Sequence, residues 1–79
     1  MDFSRVPKYK VIQKEFFLPD AGKYVGFGLE ALSPNTGERL HVIYDISPAF
    51  EFVSFLAEQF NHLELELVHF SDVVEDALV

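Results

Sequence analysis

The chain has 79 residues, a net charge of −7, 49% hydrophobic residues and no cysteine. Its length allows one domain, and the lack of cysteine excludes disulfides and thiolate metal sites. No run approaches the roughly 20 apolar residues that span a bilayer, and the opening MDFSRVPKYK lacks the apolar core of a signal peptide. The expectation is a single acidic cytoplasmic domain over residues 1–79 without a membrane partner.

The charge is unevenly spread. Residues 1–23 carry five cations against three carboxylates, a balance of +2, whereas residues 24–79 carry Arg39 against ten carboxylates, a balance of −9. So acidic a half repels phosphate and argues against nucleic acid as a partner. It suits solubility, or steering towards a basic protein partner.

Residues 1–7 show no periodicity and are expected to form a flexible arm. Residues 8–18, KYKVIQKEFFL, read as a strand with Tyr9 and Val11 on one face, Ile12 and Phe16 on the other, and Phe17 back on the first. That switch implies a bulge or a strand apolar on both sides. PDAGK makes a turn. Residues 24–33 alternate, with Val25, Phe27, Leu29 and Ala31 opposite Tyr24, Gly26, Gly28 and Glu30. The two glycines leave their side thin, so either a neighbour packs closely there or the strand bends. PNTG makes a second turn. Residues 38–46 form a third strand, with Leu40, Val42, Tyr44 and Ile46 predicted to face the core and Arg39, His41, Ile43 and Asp45 to face away.

The stretch Asp45–Leu63 reads as an amphipathic helix with its start signal attached. Ser47 is the expected N-cap, Pro48 the first helical residue and Asn61 the stop. Ala49, Phe52, Val53, Leu56, Phe60 and Leu63 form the apolar stripe. Phe50 and Phe55 project off it on opposite sides and require a second contact surface. A turn near 62–66 leads to a second helix from about Leu67 to Leu78. The predicted fold is α+β: a three-stranded antiparallel meander followed by two helices packed on one face.

The segments KYKVIQKEF, YVGFGLEA, YDIS and FNHLELELVHFSDVVEDAL together resemble a family of small bacterial proteins, Firmicutes in type, whose activity is unassigned. Its members carry D-I-S before the first helix and end in N-x-x-x-L-x-P-x-H-L-x-D-V-V-E-D-F-L. The matching positions are Asp45, Ile46, Ser47, Asn61, Leu65, His69, Asp72, Val73, Val74, Glu75, Asp76 and Leu78. Leu67, Phe70 and Ala77 depart from that pattern. The resemblance implies an α+β fold and transfers no catalytic residue.

Candidate chemistry is sparse. His69, Asp72 and Asp76 fall on one face of the second helix, where a histidine and two carboxylates suit a divalent metal. The competing reading is a solvated helix start with His69 hydrogen-bonded nearby. His41 and Asp45, four residues apart along a strand, lie about 13 Å apart and cannot touch without a bend, which argues against a dyad. No nucleophile elbow, phosphate loop or zinc-protease helix is present. Asp45 and Ser47 at the strand–helix junction read as caps. The expectation is a non-enzymatic protein without a cofactor. The alternative is a small metal- or ligand-binding protein using His69, Asp72 and Asp76.

The aromatic surplus, nine Phe and three Tyr, is the strongest functional pointer. A three-stranded sheet with one helical layer leaves a face open, and Ile12, Phe16, Tyr24 and Ile43 are expected to point there. Such a patch exceeds what a monomer usually exposes. It is covered by the arm with Phe3, by the second helix, or by a homodimer built on that face or on a strand edge. With Phe50 and Phe55, these residues form the expected interaction surface.

Overall fold

The computed structural model describes residues 6–78 and has the expected α+β architecture. Strands β1 (Lys8–Leu18), β2 (Gly22–Leu32) and β3 (Arg39–Ser47) form one antiparallel sheet in the order β1-β2-β3, followed by helices α1 (Phe50–His62) and α2 (Phe70–Ala77). A 3₁₀ turn, Leu67–His69, leads into α2. The start of the arm, residues 1–5, lies outside the described residues; Pro7 is buried. No helix among the described residues is long and apolar enough to cross a membrane.

β1 and β2 pair without a break, from Lys8 opposite Leu32 to Leu18 opposite Gly22. Of the two expectations for β1, the strand apolar on both sides is the one found. The irregularities lie between β2 and β3, where the register shifts twice. Opposite residues share a face, so Tyr9, Val11, Phe27, Leu29, Ala31, His41 and Ile43 look towards the helices.

This reverses the predicted facing of β3 from His41 to Tyr44, while Ile46 stays on the core side and Arg39 and Asp45 stay on the open side as predicted. Ile43 packs against the core, and His41 lies edge-on to Phe70, 5.6 Å between ring centroids. The cause is a bulge that places extra β3 residues between the pairs Phe27–Ser47 and Leu29–Ile43. Asp45 adopts φ +54 there, a left-handed conformation that aspartate tolerates better than most residues. The irregularity returns Ile46 to the core after Ile43, which strict alternation cannot do.

Two helix boundaries also differ from expectation. α1 begins at Phe50, so Pro48 precedes the helix; Ala49 occupies the N-cap position without a side-chain bond. The Ser47 hydroxyl instead accepts from the Ala49 N–H at 3.1 Å, guiding the chain from strand into helix. At the other end Asn61 is not the stop. Glu64 takes φ +54, while Leu65 N–H donates to Phe60 O at 3.0 Å and Glu64 N–H to Asn61 O at 3.3 Å. This is the paired-bond helix end normally built on glycine.

Asn61 is thereby free to hold β1. Its Oδ1 accepts from Tyr9 N–H at 2.8 Å and its Nδ2 donates to Tyr9 O at 2.9 Å. The Tyr9 ring is buried edge-on to Phe60 and Phe70, at 5.5 and 5.0 Å, and its hydroxyl donates to Leu65 O at 2.8 Å. Leu29, Ala31, Val53, Leu56 and Val74 complete the core around it. Burial pushes the Tyr9 hydroxyl up from 10 to about 12.

Asn61→Ala removes two neutral hydrogen bonds and is expected to lower stability by about 1–2 kcal/mol, measured as the urea midpoint. An unchanged midpoint contradicts this role. The raised Tyr9 value means that the folded chain holds this proton more tightly than the unfolded chain. The contribution is therefore fully present below pH 10 and is lost as pH rises towards about 12. Urea midpoints over that range should fall more steeply for the natural chain than for Tyr9→Phe; parallel curves contradict the assignment.

Candidate interaction surface

The sheet face away from the helices carries Lys8, Lys10, Ile12, Lys14 and Phe16 from β1 and Tyr24, Gly26, Gly28 and Glu30 from β2, with Val42 from β3. Arg39 and Tyr44 join them: Arg39 Nε donates to Glu30 Oε1 at 3.0 Å and its Nη1 to the Tyr44 hydroxyl at 3.3 Å. No described element lies across this face.

The thin strip expected at the glycines is where the outer strands meet across β2. A Cβ at Gly28 would run into the Ile43 carbonyl oxygen, and one at Gly26 would press on the Asp45 carboxylate and the Phe16 ring. Without those methyl groups, the bulge of β3 folds down onto β2. Tyr24 then donates its hydroxyl to Asp45 Oδ2 at 2.8 Å, and its ring stacks on Phe16 at 5.1 Å. The Lys14 ammonium lies 4.4 Å from the centre of the Tyr44 ring, within cation–π range. The Asp45 hydrogen bond raises the Tyr24 hydroxyl above its ordinary value.

Of the expected surface residues, Ile12, Phe16 and Tyr24 lie together on this face, and Ile43 lies on the opposite one. Phe50 and Phe55 lie on α1. Phe50 meets Phe27 edge-on at 5.4 Å yet remains 50% exposed, and Phe55 is 55% exposed. Arg39 belongs to the open face, as its place in β3 predicts, and so does Tyr44, which escapes sequence reasoning because strict alternation from Ile46 assigns it to the core side. Phe17, 75% exposed, lies on the helix side of the sheet but beyond the helices, towards the β1–β2 turn.

Charge divides with the layers. From Phe50 to Ala77 there are seven carboxylates and no lysine or arginine. The open face carries three lysines and Arg39, and its two carboxylates, Glu30 and Asp45, are both hydrogen-bonded.

The other candidate constellations do not assemble. His41 and Asp45 serve opposite faces, one against Phe70 and the other against Tyr24. His69 ends the 3₁₀ turn, and Asp72 sits in the first turn of α2. Among the described residues no group of three or more His, Asp or Glu side chains is placed to hold a metal ion.

No family model, curated protein or solved structure matches the chain.

Gly28→Ala should force β3 away from β2 and lower stability by about 1–3 kcal/mol, the usual range for overpacking. It should also release the Tyr24 hydroxyl from Asp45, so that ultraviolet titration finds a tyrosine ionising at lower pH. A variant with unchanged stability and titration contradicts the close approach.

Proposed function

We propose that this chain is a non-enzymatic protein-interaction module that self-associates as a homodimer. The observation supporting this most directly is the uncovered sheet face, where Ile12, Phe16, Tyr24, Val42 and Tyr44 lie among cations with no described layer on them. Apolar surface of this kind on one molecule marks a place where another docks. Further support comes from the shape, 53 × 26 × 19 Å, in which the β1–β2 ribbon outruns the helical layer and exposes Phe17.

The segregation of charge suits a regulatory or adaptor role in a bacterial cytoplasm. The carboxylate-rich helical layer favours a basic protein partner and disfavours nucleic acid, by the same electrostatic rule. Exposed Phe50 and Phe55 on α1 give such a partner apolar anchors within that acidic layer.

Light scattering coupled to size exclusion checks self-association. At 100 µM the expected mass is twice the monomer value of 9.1 kDa, falling towards the monomer on dilution. A mass of 9.1 kDa at 100 µM overturns the homodimer.

A further inference from the structure

We propose that the homodimer forms by antiparallel pairing of β1 with β1 of a second copy, centred on Lys14, so that two three-stranded sheets become one of six strands. This pairing rests on the self-association proposed above and names the surface that makes it.

The argument starts from the main-chain groups of β1. Tyr9 gives both its N–H and its C=O to the Asn61 side chain, so both point away from β2, at the free edge. In an antiparallel strand alternate residues point the same way. Val11, Gln13, Glu15 and Phe17 therefore also direct N–H and C=O outwards, and among the described residues no hydrogen bond takes them. The Asn61 amide does at Tyr9 what a neighbouring strand would do along the rest of the edge. α1 starts beside Phe27 on β2, where Phe50 packs, and its last turn closes the edge at Tyr9 through Asn61. The other edge, β3, is broken by two register shifts, whereas β1 is regular over eleven residues.

The limits of the free edge select the register. Pairing centred on Lys14 runs from Lys10 to Leu18. At its ends, Tyr9, already closed by Asn61, would face Pro19, which has no N–H to give. Val11 then faces Phe17 of the second copy in a hydrogen-bonded pair, and Gln13 faces Glu15. On the open face Ile12 meets Phe16. Val11, Ile12, Phe16 and Phe17 each find an apolar partner, Leu18 faces the Lys10 side chain at the end of the ladder, and the exposed Phe17 ring is covered. Lysines on an edge normally discourage pairing, but Lys14 is drawn back over Tyr44 on the far strand, 4.4 Å from that ring.

The pairing also completes a weak part of the sheet. β3 last pairs at Phe27, so beyond it β1 and β2 form a two-stranded ribbon with apolar residues on both sides. A two-stranded ribbon is marginal in water and gains from a third strand. In the dimer each ribbon receives that strand from the other copy, and the two open faces join into one.

The chain has no cysteine of its own, so single cysteines report the register in the full-length protein. Lys14 opposes itself as a non-hydrogen-bonded pair, about 4.5 Å between Cα atoms, inside the range a disulfide spans. Lys14→Cys should oxidise to a cross-linked dimer at least tenfold faster than Ile12→Cys, whose two copies lie about 13 Å apart. Gln13→Pro removes an outward N–H that β2 does not use, and should halve the mass by light scattering while circular dichroism stays unchanged. A natural chain that is monomeric at 100 µM overturns self-association and this pairing together. A dimer in which Lys14→Cys links no faster than Ile12→Cys, and which persists in Gln13→Pro, overturns the pairing alone and leaves self-association standing.

Discussion

The two hydrogen bonds between the Asn61 amide and the main chain of Tyr9 join the helical half of the molecule to the sheet. Everything nearby depends on their alignment. They place the Tyr9 ring between Phe60 and Phe70, so that α1, α2 and β1 meet at one side chain. The hydroxyl then reaches Leu65 O in the connection between the helices. A core as small as this one has few other places where three elements are tied at once, and a chain of this length has little surplus stability. Residues 9 and 61 are also far apart in sequence, so their contact closes most of the chain into one loop.

On the opposite side of the sheet the controlling feature is an absence of side chain. Gly26 and Gly28 let β3 settle onto β2, and the bulge at Asp45 lets Ile43 and Ile46 both reach the core. The same bulge turns Tyr44 outwards. An aromatic and basic face is therefore a by-product of how β3 reconciles two isoleucines three residues apart with one core. The cations come from β1 and Arg39 and the carboxylates from the helices, which gives the molecule one basic and one acidic side.

The element order, strand limits and fold class were legible in the sequence because each rests on local signals. Alternation marks β2, turn residues separate the strands, and the spacing of Val53, Leu56 and Phe60 marks α1. The close packing over Gly26 and Gly28 was legible for the same reason, since two glycines on one strand face need a neighbour or a bend. The facing of the middle of β3, from His41 to Tyr44, was not legible. Alternation from Leu40 to Ile46 is regular on paper, and only pairing with β2 reveals the irregularities that break it. Asn61 was misread because asparagine is a common helix end, and its partner lies 52 residues away. Glu64 at a left-handed helix end carries no sequence signal, as glycine would. Of the surface residues, Ile12, Phe16 and Tyr24 followed from alternation in β1 and β2, whereas Ile43 failed with its strand.

Amide hydrogen exchange followed by NMR reads the junction of helix and sheet most directly. If the bond from Tyr9 N–H to Asn61 Oδ1 holds the two layers together, this edge-strand amide exchanges only through global unfolding, as slowly as Leu29 and Val53 in the core. A Tyr9 amide that exchanges as fast as the exposed turn residues near Thr36, while Leu29 and Val53 stay protected, would contradict it.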